Sequence, residues 1–177
     1  MAHLYKDYMF DYDNVQLIPN KCIVESRAEC DTSVTLGEYT FKLPIVPANM
    51  RCVIDEELAL WLATNDYFYV MHRFDIDIFK FVRKMCHHNQ IASISVGVKP
   101  DDFNLIKLFK NETCFPNFIT VDIAHAHSDS TERMIDCIRN NIPNCYIIAG
   151  NICTPEAAEF LEKSGADAVK VGIGPGA

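Results

Sequence analysis

The segment 172–176, Gly-Ile-Gly-Pro-Gly, has the residue types and spacing best suited to holding a ligand. It follows residues 167–171, an apolar stretch that predicts a strand buried on both faces. Closely spaced glycines let a backbone present N–H and C=O groups to a ligand or ion, and the proline fixes one φ angle. We expect the loop carbonyls to coordinate a monovalent cation, or its amides to face an anion; a structural glycine turn is the alternative.

A second polar cluster, the segment 122–127, contains a carboxylate followed by two histidines. Asp122, His125 and His127 are spaced as ligands of a divalent metal are in metal-dependent barrel hydrolases. The alternative is that both histidines are polar loop residues before the next helix. The other strand ends offer no obvious further ligand that would complete the coordination of a metal.

Two further segments carry polar or flexible side chains just after apolar stretches. His72-Arg73 has the charge to bind a phosphate, or forms a solvated loop pair. The segment 47–50, Pro-Ala-Asn-Met, is suited to lining a pocket, or forms an ordinary turn between a strand and a helix.

The elements that must position these residues alternate between strand and helix patterns. Strands are expected at 44–48, 67–71, 91–96, 118–122, 146–150 and 167–171, and helices at 55–65, 75–88, 100–111, 128–141 and 155–163. A weak hairpin is expected at 34–41. Alternation of this kind predicts parallel strands joined by right-handed crossovers.

Two architectures fit this alternation, an open doubly wound sheet and a (β/α)8 barrel. No Gly-x-Gly-x-x-Gly follows the first strand, and polar residues cluster where strands end, so the barrel is favoured. The sequence therefore predicts an α/β fold of the TIM (β/α)8 barrel family. It predicts an incomplete barrel of about six βα units at 44–177, after an irregular N-terminal extension with short strands at 1–43.

Composition narrows the class of protein. A 49% hydrophobic content is enough for a sizeable core, and a net charge of −8 argues against non-specific binding to nucleic acid or to an anionic membrane. The eight cysteines include no Cys-x-x-Cys pair, and the first ten residues lack the apolar core of a signal peptide. We expect a cytoplasmic protein with reduced thiols.

Four segments together resemble the IMP dehydrogenase / GMP reductase family. They are Pro47-Ala48-Asn49-Met50, the stretch Asp-Ile-Ala-His-Ala-His-Ser at 122–128, Ala-Gly-Asn-Ile-Cys-Thr-Pro-Glu at 149–156, and Gly-Ala-Asp-Ala-Val-Lys-Val-Gly-Ile-Gly-Pro-Gly at 165–176. The resemblance runs from about Tyr12 to the end of the chain. Only about twenty residues separate Met71 from Ile91, which leaves no room for the regulatory insert usual in the dehydrogenases and favours the reductase branch.

The resemblance implies an oxidoreductase of purine nucleotide salvage that uses NADPH to convert GMP into IMP and ammonia. A cysteine thiolate attacks C2 of the purine, ammonia leaves, and the covalent thioimidate takes a hydride from the cofactor. The resemblance also implies a potassium ion and, for the full-length family, a homotetramer. No nucleic acid or membrane partner is expected.

Site residues carried over from the family fall into three groups. The cofactor would be held by Ser26, Arg27, Arg73, Asp122, Ile123, Ala124, Ile173 and Gly174. Met50 would touch the purine base, and the carbonyls of Gly174 and Gly176 would coordinate potassium. The nucleophilic cysteine is expected at the third position after Gly176, two residues beyond Ala177, so none of the eight cysteines matches it and this chain is expected to be inactive alone.

Three other hypotheses stay open. One is an IMP dehydrogenase that lacks the insert. Another is a non-catalytic remnant or interaction module that needs a partner to cover its open edge. The last is a metal-dependent barrel hydrolase that uses His125 and His127.

Overall fold

The structure is a computed structural model, and it describes residues 14–172. The chain divides into two compact units, Met1–Asp31 and Thr32–Ala177. In the first unit the described residues form a short 3-10 helix, Arg27–Glu29. Ser26 and Glu29 close it with a capping box: the Ser26 hydroxyl accepts from the Ala28 amide, and the Glu29 carboxylate accepts from the Ser26 amide.

The second unit is built on a parallel sheet with helices between its strands. Its described elements are β1 (Val34–Leu36), β2 (Tyr39–Phe41), α1 (Glu56–Thr64), α2 (Ile78–His87), β3 (Ser93–Val96), α3 (Pro100–Leu108), β4 (Phe118–Asp122), α4 (Asp129–Asn141), β5 (Tyr146–Ile152), α5 (Pro155–Lys163) and β6 (Ala168–Val171). A 3-10 turn, Phe109–Asn111, extends α3. None of the described helices is long and apolar enough to cross a membrane.

Strand order follows chain order, β3-β4-β5-β6, and every pair is parallel. Met71 extends the sheet beyond β3 through one parallel bridge to Ile94. Since all these strands run the same way, their carboxyl ends share one edge of the sheet, which we call the carboxyl edge. It contains His72, Gly97, Asp122, Ile152 and Gly172.

The outer face of the sheet packs against the helices. Ile94, Ile119, Val121 and Ile147 are fully buried there, in one cluster with α-helical side chains such as Met134. The helices begin where capping predicts: Asp55 caps α1, and Thr154 caps α5 just before Pro155. Burial of this face explains why the strand sequences are almost uninterrupted apolar runs.

The inner face carries the alternate residues and packs against the hairpin β1–β2. Phe118 of β4 lies at the centre of an aromatic cluster, with ring centroids 5.0–5.9 Å from those of Phe41, Phe68, Tyr39 and Tyr146. This packing and the division of the chain place the hairpin in the second unit.

Three sequence predictions differ from the structure. The predicted strand 44–48 forms no ladder, because Pro44 and Pro47 lack the N–H that pairing requires. The predicted strand 67–71 has ladder bonds only at Met71. β6 is half-buried rather than covered on both faces, and Val171 is 71% exposed, because among the described residues β6 pairs with β5 alone.

The described sheet therefore has the strand order and helix placement of the barrel family, as an open arc. Four regular strands and the Met71 bridge are described, against the six strands predicted.

Candidate functional site

Asp122, the last residue of β4, lies at the centre of a polar group on the carboxyl edge. Its Oδ2 accepts a hydrogen bond from Asn49 Nδ2 at 2.9 Å, and its Oδ1 lies 2.9 Å from Lys170 Nζ of β6. The Asp122 side chain is 24% exposed, so the carboxylate is open to a ligand and yet partly shielded from water. Both oxygens are oriented by protein donors, and each keeps acceptor capacity for a ligand hydroxyl.

Lys170 reaches Asp122 across the intervening strand β5, at the position of Gly150. A Cβ atom at residue 150 would lie 2.5 Å from Lys170 Cβ and 2.6 Å from the Lys170 carbonyl oxygen. Glycine at 150 therefore leaves the space through which Lys170 and Asp122 meet. Lys170 is not among the predicted site residues, although a lone charged residue in a buried-strand pattern was a usable signal.

Arg73 lies on the same edge, just after the bridge residue Met71. Its guanidinium carbon is 4.8 Å from the ring centroid of Phe74, and it packs against the Gly97 backbone. Its Nε is buried and has no hydrogen-bond partner among the described residues. A buried donor without an acceptor is costly, and because this Nε is shielded from solvent, a ligand could reach it only if the side chain moves.

The backbone after Asp122 is fixed by hydrogen bonds to the end of β5. The Ile123 amide donates to the Gly150 carbonyl at 2.9 Å, the Asn151 amide donates back to Ile123 at 2.8 Å, and the Ala126 amide donates to Asn151 at 3.0 Å. Ala124 is exposed at the surface of this loop. Asn151 Nδ2 donates to the Gly172 carbonyl at 2.8 Å, which ties the start of the predicted glycine loop to the same edge.

Other polar residues of this edge have structural partners. The Ser95 hydroxyl donates to the Met71 carbonyl at 2.8 Å, and His72 is buried with Nδ1 accepting from the Phe74 amide at 3.2 Å. His72-Arg73 is therefore not a solvated pair. His72 is buried and shapes the turn, and the Nε of Arg73 is buried without a partner among the described residues.

The metal hypothesis finds no support. His125 and His127 are exposed, with ring centroids 6.5 Å apart, and His127 packs on Phe160 at 5.0 Å. Within residues 14–172 no group of three or more histidine, cysteine or acidic side chains is arranged to hold a metal. The histidines are loop residues before α4.

The remaining predicted residues are only partly placed. Met50 is 54% exposed just beyond Asn49. Ser26 and Arg27 belong to the first unit, where the Ser26 side chain caps the 3-10 helix. Ile173, Gly174 and Gly176 lie outside the described residues, and so the potassium prediction stays a prediction. Cys153, just after β5, is exposed.

An open cavity of about 440 Å³ lies beneath the Asp122 group, on the inner face. Its upper wall contains Asn49 and Lys170, and its lower wall is apolar, with Val70, Ile148 and Val169. Thr120 lines it with a buried hydroxyl that has no partner among the described residues.

Polar groups at the opposite edge of the sheet are structural. A cavity of about 590 Å³ there contains Arg139, but this guanidinium already donates to the carbonyls of Cys145 and Gly165 and to Asp167. Burial raises the pKa of Tyr69, whose hydroxyl donates to the Ile91 carbonyl at 2.8 Å. The carboxyl edge therefore remains as the candidate site.

Comparison with known proteins identifies the family of this chain. A family model for the IMP dehydrogenase / GMP reductase domain matches residues 9–177. A GMP reductase of Staphylococcus epidermidis is 57% identical over 169 residues, which cover 95% of this chain and 52% of the relative. A GMP reductase of Variovorax paradoxus is 56% identical over 168 residues, with the same coverage.

A solved structure supports the fold. The inosine 5′-monophosphate dehydrogenase of Legionella pneumophila superposes with a TM-score of 0.79 at 29% sequence identity, covering 93% of this chain and 51% of that one. The chain thus spans about half the length of the relatives that it matches. Because the family model matches nearly the whole length of this chain, the chain belongs to the IMP dehydrogenase / GMP reductase family.

Proposed function

We propose that this chain forms the cofactor-binding part of a GMP reductase, an enzyme that converts GMP into IMP and ammonia with NADPH. The observation that carries the proposal is the Asp122 carboxylate, held on both oxygens at the carboxyl edge of a barrel-type sheet. Active sites of this fold lie at that edge. The reductase is preferred over the dehydrogenase because relatives named GMP reductase are 56–57% identical, against 29% for the dehydrogenase structure.

The residues present fit a nicotinamide cofactor. Asp122 offers a charged acceptor, suited to the hydroxyl groups of a ribose, and Arg73 offers a guanidinium, whose charge and N–H groups suit a phosphate. Arg73 and Asp122 are separated by β3, so their backbones lie about 10 Å apart, a distance that one nucleoside unit spans. Bound there, NADPH would supply a hydride to the purine.

The other residues have supporting roles in this proposal. Ile123 and Ala124 would present backbone to the cofactor, because hydrogen bonds to β5 hold this loop in place. Ser26, Arg27, Ile173 and Gly174 would add further cofactor contacts. Met50 would cover the purine base, and the carbonyls of Gly174 and Gly176 would hold potassium.

The test is a titration of the chain with NADPH, followed by fluorescence or calorimetry. We expect weak, saturable binding that falls about tenfold or more in Asp122→Asn and in Arg73→Ala, since each change removes a hydrogen bond to a charged group. We expect no measurable binding of GMP, because Met50 is the one residue of this chain assigned to the purine.

The matched controls change one aspartate and one arginine in the same way on helices α4 and α2. Asp136→Asn on α4 and Arg83→Ala on α2 change exposed residues and should leave the affinity for NADPH unchanged. Absence of NADPH binding to a folded chain, or equal losses in control and site variants, would overturn the proposal. Micromolar affinity for GMP would show that the nucleotide site has been placed wrongly.

A further inference from the structure

The contact between Lys170 and Asp122 joins two strands that are not neighbours. Asp122 ends β4, Lys170 lies in β6, and β5 runs between them. The Lys170 stem has to cross β5, and it does so at Gly150, where a Cβ would meet it at 2.5 Å. Three neighbouring strands therefore contribute to one arrangement: a carboxylate, a gap and an ammonium.

Asn49 completes this arrangement from a segment that forms no strand. Its side-chain amide donates to the Asp122 oxygen that Lys170 does not contact. A carboxylate with one donor on each oxygen has a fixed plane, whereas a single donor would leave it free to rotate. The two donors thus set the direction in which the remaining lone pairs of Asp122 point.

The position of Lys170 favours a role through Asp122. The Lys170 side chain is 42% exposed and lines the upper wall of the inner cavity, but its ammonium lies 2.9 Å from Asp122 Oδ1. A partly exposed ion pair contributes little to stability, so the stability of the fold does not by itself account for this pair. An orienting role accounts for both the crossing over Gly150 and the second donor from Asn49.

We propose that Lys170, together with Asn49, is a positioning residue that holds the Asp122 carboxylate in the orientation in which it binds the cofactor. This inference rests on the proposed function and extends it to two residues that the resemblance does not assign. It requires that Lys170 affect cofactor affinity through Asp122 and not by its own contact with the ligand.

A double-mutant cycle on NADPH affinity separates these two cases. Lys170→Met keeps the apolar stem over Gly150 and removes the ammonium. We expect it to weaken NADPH binding about tenfold in the otherwise unchanged chain, and less than about twofold when Asp122 is already asparagine. Lys163→Met, which removes an exposed lysine of α5, is the matched control and should have no effect.

A second measurement does not depend on the cofactor. In the free protein, NMR signals of the Asn49 side-chain amide should shift in Lys170→Met, because the carboxylate that accepts from Asn49 loses its other donor. They should not shift in Lys163→Met.

The outcomes are distinct. Failure of the unchanged chain to bind NADPH would overturn the proposed function. The positioning role would be overturned if Lys170→Met lowered NADPH affinity equally in the otherwise unchanged chain and in the Asp122→Asn variant. It would also be overturned if the NMR signals of Asn49 did not change. Circular dichroism and thermal melts of each variant verify that the fold is retained.

Discussion

Substitution of Gly150 by alanine tests whether the space over β5 is needed as the structure indicates. The new methyl carbon would lie 2.5 Å from Lys170 Cβ and 2.6 Å from the Lys170 carbonyl oxygen, and the second of these is backbone that cannot move alone. Overpacking of a tight site costs about 1–3 kcal/mol, and contacts this short belong at the upper end of that range. Alanine also lowers the conformational entropy of the unfolded chain, which stabilises the folded state by about 0.4–1 kcal/mol.

The expected net loss for Gly150→Ala is about 2 kcal/mol in the free energy of unfolding. For a chain of this size, that lowers Tm by about 4–8 °C. Urea denaturation followed by circular dichroism, at low micromolar concentration to limit association, measures the loss. NADPH affinity should fall as well, because the strand shift moves Lys170 away from Asp122.

Gly97→Ala is the matched control. Its methyl group would lie 2.8 Å from Asp102 Oδ2, a side-chain atom that accepts from the Lys99 amide, so relief of this contact costs that one hydrogen bond. The expected loss is about 0.5–1.5 kcal/mol, the usual contribution of one such bond. If Gly150→Ala is no more destabilising than Gly97→Ala, the space over β5 is not a constraint and the crossing of Lys170 has been misjudged.

Three further predictions concern packing, reactivity and association. Phe118→Ala removes the centre of the inner aromatic cluster and should lower the free energy of unfolding, measured by urea denaturation, by about 3–5 kcal/mol. The control Phe115→Ala, at a partly exposed residue, should lower it by less than about 1 kcal/mol. Burial and the neighbouring Cys114 thiol raise the pKa of Cys86 to about 11. Because the thiolate is the reactive form, alkylation of Cys86, measured by mass spectrometry, should accelerate about tenfold per pH unit up to that pKa. A plateau of the alkylation rate near pH 9 would contradict this. Val171→Lys places a charge on the exposed edge of β6 and should reduce self-association in light scattering, whereas unchanged association would show that another surface is responsible.

Most of the helices and inner strands were predictable from local patterns. β4 and α5 have the predicted bounds, because β4 (Phe-Ile-Thr-Val-Asp) is rich in aromatic and β-branched residues and ends at a carboxylate, and Thr154-Pro155 is a strong helix start. α2 begins at Ile78 rather than at 75, because Asp77 supplies the capping side chain. Segments whose pairing depends on distant residues were less predictable: 44–48 has the apolar content of a strand, but its prolines cannot complete a ladder.

The candidate site was predictable in position but not in its internal contacts. Polar residues at strand ends located Asp122 and Arg73, since parallel strands bring these ends together. The partners of Asp122 depend on register across three strands, which no local pattern contains. Lys170 therefore looked like part of a buried strand, and Gly150 like a strand end, until the structure placed one over the other.

NMR mapping of an NADPH titration tests whether the carboxyl edge of this sheet binds NADPH. Saturable shifts of backbone amides are expected at Arg73 and Asp122–Ala124, with none on the outer surfaces of α2 and α4 and none on addition of GMP alone. Saturable shifts confined to the cavity around Arg139 at the opposite edge, or no shifts at millimolar NADPH, would show that the carboxyl edge does not bind the cofactor.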